Sequence, residues 1–466
     1  MSTIVSTDQQ PVTSVQDLIA YMEAGCKPRA QWRIGTEHEK FGFQRKDMVP
    51  IPYEGPRGIR TILEKMAARF GWHPVHENGN PIALLQGQAS ITLEPGGQLE
   101  LSGAPQENIH QTQAEINTHL DQLGEVCQDL EVAFVGVGAQ PRCRRDDIPW
   151  MPKERYRFMR AYLPTRGTLG LDMMTRTATV QANLDFGSEA DMVGKFRLAL
   201  ALQPLVTALF ANSPFTDGRP NGFLSYRSEI WRHTDPDRCG FLPWVFANGF
   251  GFQKYVDYAL DVPMFFYYRD GHYQDAGAAP FREFLAGRLP TLPGQYPTVA
   301  DWNLHLTTLF PDVRLKHFLE TRGADAGNSA NLSALPAFWK GVLYDDQAMA
   351  EAWERVADWT LEERAAIHAQ TPRLGLRTPI PGHRTLKDLA MGILETVRAS
   401  LNRQAVKNAD GCDESVYLQP LFRVAESGIT PAEKLLKAYR TRWGQSLNPL
   451  FREEEFESFY AKCRKQ

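Results

Sequence analysis

The sequence predicts an α+β protein, with an antiparallel or mixed sheet in its first part and a helical C-terminal portion. Three observations carry this. Apolar and polar residues alternate with period two in several segments before about Asn331, and this signal fades afterwards. Helical periodicity with cap signals accompanies those strands and then takes over. No internal repeat or low-complexity segment is present. The expected organisation is one unit, with residues 1–330 forming the sheet-containing core and residues 331–466 packed on it as helices. Gly323 to Ser333, GADAGNSANLS, is the best candidate linker.

The elements follow in order. Ser14-Val-Gln-Asp17 reads as a capping box, and Gly25 ends the helix it starts. Gln31 to Phe43 is a strand. Gly58 to Phe70 is a helix stopped by Gly71. Ile82 to Ser102 reads as strands interrupted by the turn signal Pro95-Gly96-Gly97. Pro105 opens a helix to about Leu130, and Val132 to Val137 is a buried strand. Thr175 to Phe186 is a strand and Ser188 to Ala211 a helix. Asp261 to Arg269 and Val313 to Arg322 are further strands. Leu335–Leu343, Ala348–Trp359, Leu361–Gln370, Leu386–Gln404 and Pro431–Trp443 are helical.

Composition excludes several function classes. The 466 residues are 43% hydrophobic and carry 36 Gly and 31 Pro, so the chain is neither collagenous nor disordered for want of apolar residues. Lys plus Arg is 51 and Asp plus Glu is 55, a net charge of −4 that gives no sign of a nucleic-acid partner. The longest apolar stretch, Leu198 to Ala211, is interrupted at Gln203-Pro204 and falls short of the roughly 20 residues a spanning helix needs. The first 26 residues contain no Lys or Arg, unlike a secretory or transit leader, so a cytoplasmic location and no membrane partner are expected. The six cysteines, Cys26, Cys127, Cys143, Cys239, Cys412 and Cys463, form no C-x-x-C and read as reduced thiols. P-loop, dinucleotide, G-x-S-x-G and H-E-x-x-H signatures are all missing.

What remains is a set of polar strand faces. In the strand Arg33–Phe41, the period of two puts Glu37 and Glu39 on one side and His38 on the other. Ser90, Thr92, Glu94, Gln98, Glu100 and Ser102 share a face, with Ile91, Leu93, Leu99 and Leu101 opposite. Thr177, Thr179, Gln181, Asn183 and Asp185 are polar against apolar Ala178, Val180, Ala182, Leu184 and Phe186. The last such strand aligns Arg314, Lys316, Glu320 and Arg322. Taken singly, each fits a solvated antiparallel strand. Four together, rich in Glu, Gln and Asn, which are poor strand formers, fit the lining of a cavity. Carboxylates about 4 Å apart repel by roughly 4 kcal/mol at an effective dielectric of 20, so a gathered set attracts cations. Oxygen donors of this kind suit Mg²⁺ or Mn²⁺. Arg314, Lys316 and Arg322 complement phosphates. The residues therefore point to a multi-metal site for a nucleoside triphosphate, built on a sheet.

A second cluster holds Arg227, Trp231, Arg232, Thr234 and Arg238 within thirteen residues. It suits binding of an α-carboxylate, since Arg holds one bidentately, and equally suits a surface turn with ion pairs. Arg142 to Asp147 reads as a solvated charge run. Phe241–Phe246 and Val262–Tyr268 read as core, with one wall of an adenine pocket as the alternative for the second.

Long strings here resemble the plant-type glutamate–cysteine ligases, which also occur in proteobacteria and belong to the carboxylate–amine ligases of the glutamine synthetase-like superfamily. They are Trp32-Arg-Ile-Gly-Thr-Glu-His-Glu-Lys-Phe-Gly-Phe43, Leu93-Glu-Pro-Gly-Gly-Gln-Leu-Glu-Leu-Ser-Gly103, Ile230-Trp-Arg-His-Thr-Asp-Pro-Asp-Arg238, Leu304-His-Leu-Thr-Thr-Leu-Phe-Pro-Asp-Val-Arg314 and Thr430-Pro-Ala-Glu-Lys-Leu-Leu436. The resemblance runs from about residue 15 to about 455. It implies a curved, mainly antiparallel sheet forming an active-site funnel. It implies ATP-dependent joining of the γ-carboxylate of L-glutamate to the amine of L-cysteine through a γ-glutamyl phosphate, the first step towards glutathione. It carries metal ligation onto Glu37, Glu39, Glu94, Glu100 and Glu320, with Gln181 where another branch uses His. It places Arg322, Lys316 and Glu320 in the catalytic set, and Asn183, Arg227, Trp231, Arg232, Thr234 and Arg238 in substrate binding. ATP and Mg²⁺ or Mn²⁺ are the implied cofactors, glutathione a feedback inhibitor, and the monomer or a weak homodimer the implied state. The alternatives are a related ligase with a different amine acceptor, and a divalent-metal hydrolase or binding protein. The cysteine pair that plant members use for redox control is replaced by Ala276 and Thr291, so that disulfide cannot form.

Overall fold

The computed structural model describes residues 8–456. Its centre is a nine-stranded sheet. The strands are β1 (Ile34–Gln44), β2 (His73–Glu77), β3 (Asn80–Gln86), β4 (Ala89–Leu93), β5 (Leu99–Ser102), β6 (Val132–Val135), β7 (Thr179–Leu184), β8 (Val313–Leu315) and β9 (Leu319–Asp325). They run in the order β8-β9-β7-β1-β5-β4-β3-β2, with β6 paired to the outer half of β1. Every pairing in this sheet is antiparallel.

The helices that position the site are α1 (Val15–Glu23), α2 (Ile59–Phe70), α3 (Ile109–Leu130), α4 (Arg155–Tyr162), α5 (Gly170–Arg176), α6 (Glu189–Leu209), α7 (Tyr226–Arg232), α8 (Val299–Leu306) and α9 (Ser329–Leu343). The capping box on α1 is present, with Ser14 and Asp17 reciprocally bonded. Gly71 ends α2 in the left-handed region, at φ 73°, where a side chain would be strained. For α3 the cap is Asn108, whose side chain accepts from Gln111 N; Pro105 lies in the extended stretch before it.

Alternation makes the sheet two-faced. Ile34, Val180, Ala182 and Leu184 are buried with Leu198–Leu209 of α6 and Leu332–Leu343 of α9 in the main core. His38 lies on this far face, its Nδ1 2.8 Å from the ammonium of buried Lys40. Ile91, Leu93, Leu99 and Leu101 are buried with α2 in a second core. Because α9 belongs to the C-terminal portion yet shares the main core with β7, the helices after residue 331 are anchored through side chains such as Trp339, which is fully buried. Trp339→Ala should cost about 3–5 kcal/mol, read as a shift of the denaturant midpoint.

Several boundaries differ from expectation. Gly323 to Ser333 is not a linker: Gly323 to Asp325 complete β9, and α9 starts at Ser329. A Cβ at Gly323 would stand 2.2 Å from Gln203 Nε2, so this glycine serves close packing. Thr175 belongs to helix α5, and the strand starts only at Thr179. Asp261 ends a helix; the strand there is Phe266–Arg269, paired with His272–Asp275 outside the main sheet. Val313 to Arg322 is a hairpin rather than one strand. The edge strand β2 has no counterpart among the expected elements, because its residues are largely exposed and lack apolar alternation. The apolar run around Leu198 extends into α6, 21 residues long and apolar enough by length and composition to cross a membrane. However, 83% of its apolar window is buried inside the fold, as suits a core helix. The five described cysteines are free, and Cys463 lies outside the described residues. Ala276 and Thr291 flank the helix Phe281–Leu285, with the methyl of Thr291 3.6 Å from the Cβ position of Gly277.

Candidate active site

Register brings the polar faces together. Glu39 of β1 stands opposite Glu100 of β5, and Thr92 of β4 is also opposite Glu100. Glu37 is flanked by Ser102 on one side and Gln181 of β7 on the other. Asn183 pairs with Glu320 of β9, and Glu320 with Arg314 of β8. Directly opposed residues have Cβ atoms about 4.5–5.5 Å apart, so Glu39 and Glu100 are within strong repulsion.

Of these, Glu37, Glu39, Glu100, Gln181 and Arg314 line an inner chamber of ≈ 90 Å³ together with Glu94, Gln98, Lys153, Arg155, Tyr156, Trp231 and Arg322. Burial, then the charges of Glu94 and Glu100, push the Glu39 carboxyl well above its ordinary range. Burial, then Glu37 and Glu94, push Glu100 up to about 7. Their hydrogen bonds are few. Thr179 N donates to Glu39 (3.0 Å), and Ser102 Oγ and Thr92 Oγ1 donate to Glu100 (2.5 and 3.4 Å). Negative charge is thus in surplus on this wall.

The opposite balance holds at Glu320. It is fully buried, and burial alone would raise its pKa, yet Arg314, Lys316 and Arg322 hold it well below the ordinary range. Arg314 Nη2 donates to both its oxygens (2.6 and 2.9 Å), Lys316 Nζ lies 3.0 Å away, and Arg322 donates to it as well. Arg322 also donates to Gln181 Oε1 (2.6 Å). Arg322 therefore stands between the cationic cluster and the acidic wall. Trp231 and Phe310 lie 5.8 and 5.9 Å from its guanidinium. Trp231 Nε1 is buried with no acceptor among the described residues.

A larger cavity of ≈ 370 Å³ adjoins the chamber and shares Glu37 and Thr307 with it. Its wall mixes cations (Lys27, Arg33, Lys316) with aromatic rings (Tyr21, His317, Phe318). Asn183 also lines it and donates to Glu37 Oε1 (2.8 Å). Asp185 is buried in this wall, accepting from Lys27 Nζ (2.6 Å) and Arg33 N (2.7 Å).

The structure thus brings Glu37, Glu39, Glu94, Glu100, Gln181, Asn183, Trp231, Lys316 and Arg322 to the two cavities. Glu320 sits behind them, its oxygens occupied by three cations. Among the described residues, no three His, Cys, Asp or Glu side chains converge closely enough to hold a metal in this arrangement. Four members of the second cluster are not brought in. Arg227 is buried and donates to Arg322 O (2.6 Å), bracing that residue from behind. Arg232 pairs with Glu229 (3.0 Å) on the outer side of α7. Thr234 donates to Ile230 O. Arg238 is fully buried, its donors taken by Asp235 (2.6 Å), Thr308 O and Pro263 O. Helical spacing around α7 turns Trp231 alone of this cluster towards the chamber.

Sequence reasoning missed Lys153, Arg155 and Tyr156 on the chamber side, and Tyr21, Lys27, Arg33 and Asn303 on the cavity side. The run Lys153-Glu-Arg-Tyr156 carried a faint signal, charge beside an aromatic at a helix start. Burial lowers Lys153 to about 8 although Glu94 pulls the other way, and its ammonium donates to Leu93 O (2.7 Å).

The family model for glutamate–cysteine ligase family 2 matches residues 33–455. A chloroplastic glutamate–cysteine ligase of Brassica juncea is 53% identical over 450 residues, covering 97% of this chain and 85% of that protein. Its counterpart in Arabidopsis thaliana is 53% identical over 450 residues, covering 97% and 84%. A glutamate–cysteine ligase of Francisella tularensis, solved in complex with AMP, matches with a TM-score of 0.54 at 12% identity, covering 93% of this chain and 91% of that one. That last likeness is one of fold.

Proposed function

The chain belongs to glutamate–cysteine ligase family 2, and we propose that its two joined cavities ligate L-glutamate to L-cysteine using ATP. The observation that carries this is an acidic wall and a cationic cluster meeting at Arg322. Phosphoryl transfer needs positioning and charge neutralisation rather than a protein nucleophile, and these two charged groups supply both.

The larger cavity takes the nucleotide. Its volume lies in the range of small-molecule sites, its rings suit a base, and Lys27, Arg33 and Lys316 suit phosphates. The triphosphate end then points through Glu37 into the chamber. There the glutamate γ-carboxylate oxygen attacks the γ-phosphorus, the bond to the β–γ bridging oxygen breaks, and ADP leaves. The cysteine amine attacks the acyl carbon of the γ-glutamyl phosphate, and phosphate departs with the C–O bonding electrons and takes up the proton the amine loses. Arg322 and Lys316 face the charge that moves onto phosphate oxygens in both steps.

The acidic wall fits a divalent cation. Its donors are all oxygen, which suits Mg²⁺ or Mn²⁺, and the raised Glu39 and Glu100 mark charge that a cation would neutralise. Glu37, Glu39, Glu94 and Glu100 would hold it, with Gln181 as a neutral donor. Such an ion, when bound, offsets phosphate charge and orients the triphosphate. Because Glu100 titrates near 7, a bound ion must displace its proton at lower pH. Displacing the Glu100 proton should therefore lower Mn²⁺ affinity by about tenfold in all from pH 8 to pH 6, most of it below pH 7.

The deciding measurement is ADP release with Mg²⁺, glutamate and cysteine, each omitted in turn. Release that needs both amino acids is expected. Equal release with glycine, 2-aminobutyrate or ethylamine in place of cysteine would assign a different acceptor. Glutathione contains the product dipeptide and is expected to compete with glutamate.

A further inference from the structure

One edge of the larger cavity is built by the segment from residue 8 to residue 27, whose Tyr21 ring and Lys27 ammonium line it. The segment is stitched down at several points. Val12 N donates to Pro297 O (2.9 Å), and Val299 N to Gln10 O (2.9 Å). Near the end of α1 the Tyr21 hydroxyl donates to Asn303 Oδ1 on α8. The Tyr21 ring lies on His317, with centroids 4.0 Å apart. Gly25 abuts the backbone of the same residue: a Cβ there would stand 2.7 Å from His317 O and 2.8 Å from its Cα. Lys27 N then donates to Phe186 O (2.9 Å).

His317 is the middle residue of the tight turn joining β8 to β9, where Lys316 N donates to Phe318 O (2.8 Å). β9 is paired to β7, but β8 is the edge of the sheet, so among the described residues no strand pairs with its outer side. The residue beside His317 is Lys316, whose ammonium faces Glu320 and lines the larger cavity near Glu37.

We propose that Tyr21 and Gly25 are positioning residues for nucleotide binding: they clamp the β8–β9 turn and so hold the Lys316 ammonium where cavity and chamber meet. The inference rests on reading the larger cavity as the nucleotide site. Gly25 is required because any side chain meets backbone, which cannot swing aside. Tyr21 is required for two contacts, one to the turn and one to α8.

The test compares Gly25→Ala, Tyr21→Ala and Tyr21→Phe with Lys316→Ala in the full chain. Titration with MgADP, followed by tryptophan fluorescence, is read beside KM for ATP, glutamate and cysteine, and beside Tm. A displaced charge costs about 10- to 100-fold, so Gly25→Ala and Tyr21→Ala should weaken MgADP and raise KM for ATP by at least about tenfold. KM for both amino acids should stay within about twofold, a smaller change than displacement of a binding group produces. Tyr21→Phe keeps the ring on His317, folds with least disturbance, and should lose less than Tyr21→Ala. The clamp is overturned if Lys316→Ala weakens MgADP while Gly25→Ala and Tyr21→Ala do not. It is also overturned if all three substrates suffer equally in step with Tm, which is what a purely structural role produces. If Lys316→Ala and Gly25→Ala alike change an amino-acid KM and leave MgADP unaffected, the nucleotide reading of the cavity falls, and with it the role proposed here.

Discussion

Replacing Glu39 or Glu100 by glutamine should abolish nearly all ligation while the chain stays folded. The substitution is isosteric and removes one charge from a wall that already repels itself: burial and neighbouring carboxylates raise both groups. Loss of a cation ligand forfeits several kcal/mol of charge stabilisation, or about 10³-fold in turnover. The metal-free protein should move the other way. Two full charges about 4 Å apart repel by roughly 4 kcal/mol at an effective dielectric of 20, an upper bound for groups that are partly protonated. Tm without metal should therefore hold or rise. Turnover and Tm measured together separate this from ordinary destabilisation, and near-normal turnover in both variants would remove the metal assignment.

Arg322→Met should lower kcat by about 10²–10³-fold, the usual loss on removing a donor aimed at developing negative charge. Arg322 bridges the Glu320 cluster to Gln181 on the acidic wall. Arg322→Lys should restore little. A single ammonium cannot reproduce a planar fork that meets Glu320 and Gln181 from one nitrogen and leaves its other donors available. Recovery to within a few-fold in the lysine variant would mean that charge alone, not geometry, is what this position supplies.

Much of this site was legible in the sequence because strand side chains alternate with period two. Glu37 and Glu39 had to share a face, and His38 had to oppose them; the structure puts His38 on the far side, beside Lys40. The same rule aligned Gln181 with Asn183 and Glu320 with Arg322, and survived the unforeseen hairpin because its tight turn keeps the register Arg314 to Glu320. Residues outside strands were less legible. Thr234 and Arg238 carried the right chemistry for a ligand, but they lie beyond the end of α7 and are turned into the protein, where Asp235 and backbone carbonyls use their donors. Lys153, Arg155, Tyr21 and Asn303 had no periodic pattern to betray them, since each reaches its cavity from a helix or loop that only long-range packing puts there.

By itself the sequence determined the α+β class, the faces of the strands, and the kinship that names the reaction. These depend on local periodicity and on strings of residues, which need no knowledge of what lies opposite. Only the tertiary structure decided that Glu39 faces Glu100, that Arg227 braces Arg322 instead of meeting a ligand, and that the N-terminal helix holds the turn bearing Lys316. Those are facts of register and packing between segments that can lie 282 residues apart, as Tyr21 and Asn303 do. No local rule specifies such contacts, because they form only when the whole apolar side of the sheet is buried.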